Sequence, residues 1–271
     1  MTYQSYRSWN GNMHDFLDLL AADAKATVDS GYYERGVLTK PVAASLKKAI
    51  LNNRGGAVIA EVKGTSPSRG KIRQDFSPAQ IAQDMVQGGA IGISVLTEPK
   101  YFRGSLSNMV EVRQSVNVPV LMKDIVVSPL QLEAASKLGA NAVLLIQAVF
   151  DRGYCDSELP EMVAKAHSKN LEVLLEAHSA GEFVRAVQSE ADLLGINNRN
   201  LCTLDVDLNV TKSILSQCQH TDRVIVSESG VTTPDDLRFL REFGADAFLI
   251  GSSIMSADNV EAKIREFVKA Q

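Results

Sequence analysis

The sequence predicts an α/β protein built as a (β/α)8 barrel with an N-terminal helical extension. Three observations carry that prediction. Eight short runs rich in Val, Ile and Leu lie along the 271 residues, each opening roughly 20 to 35 residues after the last, which is the spacing of a βα unit. The runs are apolar without alternation, as strands are when a parallel sheet buries both their faces. Odd and even runs also carry different signatures. The even ones follow Gly89-Ala90, Gly139-Ala140, Glu190-Ala191 and Gly244-Ala245, with alanines 50, 51 and 54 residues apart. The odd ones close on Glu61, Lys123, Glu176 and Glu228, at separations of 62, 53 and 52. An odd/even distinction over eight units describes a barrel whose inward side chains layer by alternate strands. A doubly wound open sheet is the alternative, but no G-x-G-x-x-G follows the first run.

Taken in order, the strands are expected at 57–62, 91–97, 119–123, 142–147, 172–176, 192–197, 223–228 and 245–251. Helices over 78–87, 129–138 and 234–243 open with Ser77-Pro78, Ser128-Pro129 and Thr233-Pro234. Each pair joins an N-cap hydroxyl to a proline at the first helical position. Gly88, Gly139 and Gly244 are the expected C′ residues. Ahead of the first strand, helical spacing runs over 13–29 through Phe16, Leu19, Leu20 and Ala24, and over 41–52 through Val42, Leu46 and Ile50. Residues 1–54 are therefore read as a helical extension packed on the barrel of residues 55–271, within a single domain.

Composition narrows the function. Hydrophobic residues make up 45% and charged residues 22%, and 28 cationic against 32 acidic side chains leave a net charge of −4. No basic excess is present to hold a nucleic acid. No apolar run approaches the ~20 residues a membrane span needs, and residues 1–12 lack the apolar stretch of a signal peptide. Cys155, Cys202 and Cys218 are odd in number and lack metal-type spacing. They are expected as small core residues in a protein of the reducing cytoplasm. No zinc motif or P-loop appears.

In this fold the chemistry sits where strands end at the C-terminal mouth. Strand one delivers Glu61 and Lys63, strand two Thr97 and Glu98, strand three Lys123 and Asp124, and strand four Gln147. Strand five delivers Glu176 and His178, strand six Asn197, Asn198 and Arg199, and strand seven Glu228, Ser229 and Gly230. Strand eight delivers Gly251, Ser252 and Ser253. Ionised groups at the ends of buried strands are costly unless paired or facing a ligand. Glu61, Lys123, Glu176 and Glu228 at one mouth therefore mark an acid–base site, with a mutually satisfied ion network as the structural alternative. The small residues after strands seven and eight point to a phosphate, which this fold binds at those loops. His178 is read as orienting its loop. His14, His167, His220 and Trp9 are read as surface or terminal residues.

These strand ends resemble those of the indole-3-glycerol phosphate synthases, from about residue 15 to 267. The segments are Ile59-Ala60-Glu61-Val62-Lys63, Ser66-Pro67-Ser68, Ser94-Val95-Leu96-Thr97-Glu98 and Lys100-Tyr101-Phe102-Arg103-Gly104-Ser105. They continue with Lys123-Asp124, Glu176-Ala177-His178, Gly195-Ile196-Asn197-Asn198-Arg199, Glu228-Ser229-Gly230 and Gly251-Ser252. The resemblance implies that 1-(2-carboxyphenylamino)-1-deoxyribulose 5-phosphate closes to indole-3-glycerol phosphate with loss of CO2 and water. It implies no metal or organic cofactor.

That chemistry suits the residues. Lys123 supplies an acid at the developing alkoxide, Glu176 stabilises the cationic ring or takes the amine proton, and Lys63 pairs with the substrate carboxylate. Glu61 and Lys63 form an acid/base pair for dehydration, with the proton donor of each step left open. Asn197 and Glu228 bind sugar hydroxyls or position Glu176. Ser66, Ser229, Gly230, Gly251 and Ser252 grip the phosphate, with Arg199 assisting. The sequence departs from the family pattern at Met122, Ile125, Ala177 and Gly64-Thr65. Ile125 replaces an aromatic beneath the substrate ring. The rival readings are another phosphosugar isomerase or a Schiff-base aldolase using Lys123 on the same fold, and a catalytically silent phosphate-ligand binder. The expected partner is a small phosphorylated molecule. A monomer is expected, with other tryptophan-pathway enzymes as possible associates.

Overall fold

The computed structural model describes residues 15–35, 38–39, 42–53, 56–66, 70–73, 75–218 and 222–270, except the side chains of Ser66 and Lys71. The expectations for Trp9, His14, His220 and the first residues of the 13–29 helix lie outside it. Eight parallel strands close a barrel: β1 (Ala57–Val62), β2 (Gly92–Leu96), β3 (Val120–Lys123), β4 (Ala142–Ile146), β5 (Glu172–Ala177), β6 (Leu193–Asn197), β7 (Val224–Glu228) and β8 (Ala247–Ile250). Each falls within two residues or so of its expected bounds. Closure is made by β1, which pairs β8 with Ala57 opposite Ala247 and pairs β2 with Ile59 opposite Gly92.

The core has two parts, and side-chain alternation along each strand separates them. Val58, Ala60 and Val62 face outward to helices, among Ile81, Met85 and Ile264. Ile59, Leu121, Leu174 and Val226 face inward from the four odd strands. Two residues further along each of those strands stand Glu61, Lys123, Glu176 and Glu228. The layer above an apolar plug is thus made of four ionisable residues, at the mouth.

Helices α3 (Pro78–Gln87), α5 (Pro129–Lys137) and α10 (Pro234–Glu242) begin at the expected prolines behind the N-caps Ser77, Ser128 and Thr233. One C-terminal expectation is corrected. Gly88 continues the helical backbone at φ −69°, and Gly89 takes the left-handed conformation at φ +106°. Gly139 and Gly244 have positive φ as expected. The cysteine expectation is corrected too: Cys202 is exposed, and Cys155 and Cys218 are only partly buried. No helix among the described residues is long and apolar enough to cross a membrane.

The first helix, α1 (Phe16–Asp29), is capped reciprocally by Asp15 and Asp18. It lies over the mouth. Phe16 N donates to Leu201 O (3.1 Å), and Arg152 reaches Asp15 and Asp18 at 2.6 Å each. The second, α2 (Leu46–Leu51), is shorter than the expected 41–52, since residues 42–45 are not helical. Its start is fixed from far away: Glu172, at the base of β5, accepts from the backbone N of Leu46 (2.7 Å) and Lys47 (3.1 Å) and from the Ser45 hydroxyl. A carboxylate there satisfies two orphan amides and complements the helix dipole. The two N-terminal helices therefore close opposite ends of the barrel.

Candidate active site

The strand ends converge on a mouth cavity of ≈ 510 Å³. Ten of the twelve residues singled out from the sequence line it: Glu61, Lys63, Lys123, Glu176, Asn197, Arg199, Ser229, Gly230, Gly251 and Ser252. The Ser66 side chain lies outside the described residues. Glu228 is brought to the same cluster but sits beneath the floor, fully buried, so it reaches a ligand only through its neighbours.

The charges form one connected set. Lys63 Nζ lies 2.6 Å from Glu61 Oε1, and Lys123 Nζ lies 3.4 Å from Glu61 Oε2 and 3.3 Å from Glu228 Oε2. Asn197 Nδ2 donates to Glu176 Oε2 at 3.0 Å, and His178 Nε2 stands 3.3 Å from Glu176 Oε1. Burial alone would raise the Glu61 carboxyl, but the two ammonium groups hold it down at about 2. The lysines diverge. Burial lowers Lys63 and its pairing with Glu61 does not fully offset this, while Lys123 and Arg199 add repulsion. Burial also opposes the charge on Lys123, but Glu61, Glu228 and Glu176 outweigh it and raise its pKa above the usual lysine range. Glu228 is pushed up to about 8, by burial first and then by the Glu176 carboxylate, against Lys123. Its carboxyl therefore holds a proton more readily than an ordinary glutamate does.

Two glycines make the cluster possible. A Cβ on Gly195 would collide with Glu228 Oε1, and one on Gly251 would stand 2.6 Å from Glu61 Oε1 and 2.8 Å from Lys63 Nζ. Gly195 was visible only as part of a motif, because what it clears lies on the next strand. The rim depends on Asn198. Its amide nitrogen donates to Ser227 Oγ and to the carbonyls of Glu228 and Ser229, and its oxygen accepts from the N and Oγ1 of Thr211. These bonds hold the turn where Ser229 (φ +65°) and Gly230 (φ +98°) both have left-handed backbone. Arg199 is aimed by its Nη1, which donates to Leu204 O at 2.8 Å.

The opposite wall is apolar. Phe16, Leu17 and Leu20 of α1 line it together with Phe102, Ile125, Leu201 and Leu204, which pack with them in one apolar cluster. The contribution of α1 was not foreseen residue by residue, since helical periodicity shows an apolar face but not what it covers. Glu98 and Asp124, also at strand ends, are spent on structure. Glu98 accepts from the backbone N of Lys100, Tyr101 and Phe102, which shapes the loop carrying Phe102. Asp124 accepts from Thr97 Oγ1, Tyr33 Oη and Ile125 N, and burial raises it to about 6.

A closed (β/α)8 barrel with lysines and carboxylates interlocked at its mouth, beside a serine–glycine rim and an apolar wall, defines an acid–base barrel enzyme. The comparisons narrow that class. The family model "Indole-3-glycerol phosphate synthase" matches residues 21–267, and the chain belongs to that family. Relatives named indole-3-glycerol phosphate synthase include one from Acetivibrio thermocellus, 41% identical over 81% of this chain and 82% of its own. Another, from Methanocaldococcus jannaschii, is 42% identical over 78% of this chain and 77% of its own. Among solved structures, thiamine phosphate pyrophosphorylase from Pyrococcus furiosus superposes with a TM-score of 0.58 at 19% identity, covering 81% of this chain and 96% of that one. That likeness speaks for the barrel alone.

Proposed function

We propose that this protein carries out the reaction of its family: decarboxylating, dehydrating ring closure of 1-(2-carboxyphenylamino)-1-deoxyribulose 5-phosphate to indole-3-glycerol phosphate, in tryptophan biosynthesis. The observation that carries this reading is the position of Lys123. Its ammonium is clamped between Glu61 and Glu228 at the cavity floor, facing an apolar wall suited to an aromatic ring.

The two lysines divide the work by their surroundings. Lys123 is held firmly as a cation, so it stabilises the alkoxide that develops when the ring carbon attacks the ketone, and donates to it as charge builds. Glu176, steadied by Asn197, faces the cationic ring and takes the amine proton. Lys63 pairs with the substrate carboxylate until CO2 leaves. Its lowered pKa then suits it to release a proton to the departing hydroxyl, with Glu61 as the adjoining base. Arg199, Ser229, Gly230, Gly251 and Ser252, with Ser66 from the first loop, hold the phosphate. Glu228 acts as a proton-bearing support under Lys123 and Glu176.

Helix α1 serves the barrel as an extension by contributing part of the cavity wall. Three cysteines that form no disulfide among the described residues support a cytoplasmic location. A Schiff-base role for Lys123 is disfavoured, since an imine-forming amine must first be neutral and its acidic neighbours, Glu61 first, hold this one charged.

The test follows indole fluorescence after mixing purified protein with the carboxyphenylamino-deoxyribulose phosphate. Wild type is expected to give a rise, and folded Lys123→Ala and Glu176→Gln at least ~10³-fold less, in line with removal of a group acting only in the transition state. No rise with wild type overturns the activity. Near-normal rates in either variant overturn the roles.

A further inference from the structure

We propose that His178 is a positioning residue for the Glu176 carboxylate, held in place by Glu182; the inference rests on the role given to Glu176 above. Neither His178 nor Glu182 lines the cavity, so neither touches a ligand directly.

The geometry begins on the backbone. Helix α8 (Ala180–Val187) is capped by Ser179, whose side chain accepts from Glu182 N, and Glu182 Oε2 accepts from His178 N at 2.8 Å. The same oxygen stands 3.6 Å from His178 Nδ1, and the opposite ring nitrogen stands 3.3 Å from Glu176 Oε1. The imidazole is 8% exposed. One buried ring therefore spans the gap between a helix-capping carboxylate and a carboxylate at the reaction centre. Its two nitrogens are in ion-pair range without aligned hydrogen bonds. A ring held loosely in this way can tighten toward Glu176 as charge on that carboxylate changes during turnover.

Glu176 is consequently addressed from three sides. Asn197 donates to Oε2, His178 faces Oε1, and Glu228 with Lys123 lies below. Of these, only His178 connects Glu176 to a charge outside the barrel. That charge, Glu182, is itself held below the usual carboxylate range. Burial works against this, and the backbone N–H of His178 together with its nearby ring outweighs it. Nearby, Arg185, also on α8, pairs with Asp151 of the adjacent short helix at 2.6 Å. A ring protonated at both nitrogens is the form that can donate to both carboxylates. Standing between them, His178 fixes the rotamer of Glu176 opposite the place of the cationic ring.

The experiment compares His178→Gln, His178→Asn and Glu182→Gln with wild type, measuring kcat and KM. A glutamine amide can keep a donor near the Nε2 position facing Glu176, whereas asparagine reaches only toward Glu182. The expected order of kcat is wild type, then His178→Gln, then His178→Asn, with the last about 30-fold down. KM should stay within about twofold in both His178 variants. Glu182→Gln should lower kcat by a smaller factor, with KM likewise unchanged. Thermal melts confirm folding, and His178→Gln serves where His178→Asn fails to fold. Equal loss of kcat in both His178 variants, a loss expressed in KM rather than kcat, or wild-type kcat in both, overturns the inference and leaves the ring-closure reading intact. A wild-type protein that forms no indole product overturns both.

Discussion

The two ends of the barrel use the same residue type in opposite ways. At the base, Glu172 accepts from two backbone amides and a serine hydroxyl and thereby caps α2. At the mouth, both oxygens of Glu228 and one of Glu61 are buried with no hydrogen bond of good geometry, although an ammonium lies near. A saturated carboxylate stabilises one arrangement, while an under-saturated one is kept available for a proton or a change of charge. The difference separates stability from chemistry along one axis of one fold, and it follows the general division of barrel ends.

Four substitutions can break or sharpen that contrast. The largest effect is expected from Glu228→Gln: kcat about 10²- to 10³-fold lower, since Lys123 loses a carboxylate and Glu176 its neighbour. Stability should move the other way. With its pKa raised from 4.5 to about 8, folded Glu228 holds a proton that the unfolded chain has released. Stability therefore falls as pH rises from about 4.5 to 8, and thermal melts of the variant across that window should lack this part of the slope. Next, Gly251→Ala pushes a methyl group against Glu61 and Lys63. A drop in kcat of about 10- to 100-fold is expected, and unchanged kinetics would mean that the Glu61–Lys63 contact is dispensable.

The base variants should do the reverse. Glu172→Ala leaves the first amides of α2 without their acceptor, so urea unfolding should show a loss of about 1–3 kcal/mol with kcat preserved. Gly92→Ala places a Cβ 2.8 Å from Leu46 Cδ1, an apolar and adjustable neighbour. The expected loss is about 1 kcal/mol, at the low end for overpacking, again with normal kinetics. Impaired catalysis in either base variant would dissolve the division between the two ends.

Much of this was legible in the sequence, for a physical reason. A parallel barrel writes its strands as apolar runs, and inward alternation on odd strands makes Glu61, Lys123, Glu176 and Glu228 recur at similar spacing. Local capping chemistry likewise announced Ser77, Ser128 and Thr233. What escaped was set by contacts distant in the chain. The start of α2 is decided by Glu172, more than 120 residues away, so 42–45 read as helical when they are not. The depth of Glu228 depends on the gap that Gly195 leaves on a neighbouring strand. Gly88 was preferred to Gly89 because two adjacent glycines offer the same local freedom, and only the folded path shows which one turns.

Closure of the sheet through β1 and β8 has a consequence for how the chain comes into being. Ala57 waits for Ala247, so a ribosome must add nearly 200 residues before the first strand finds its second neighbour. Throughout that interval β1 carries an open hydrogen-bonding edge, and such edges recruit other chains. The closing contact is also about as remote in sequence as this chain allows, which places its formation among the slow, late events of folding. Slow synthesis under crowding should therefore trap this protein more readily, by delaying its eighth strand, than weakening a contact in the finished barrel would.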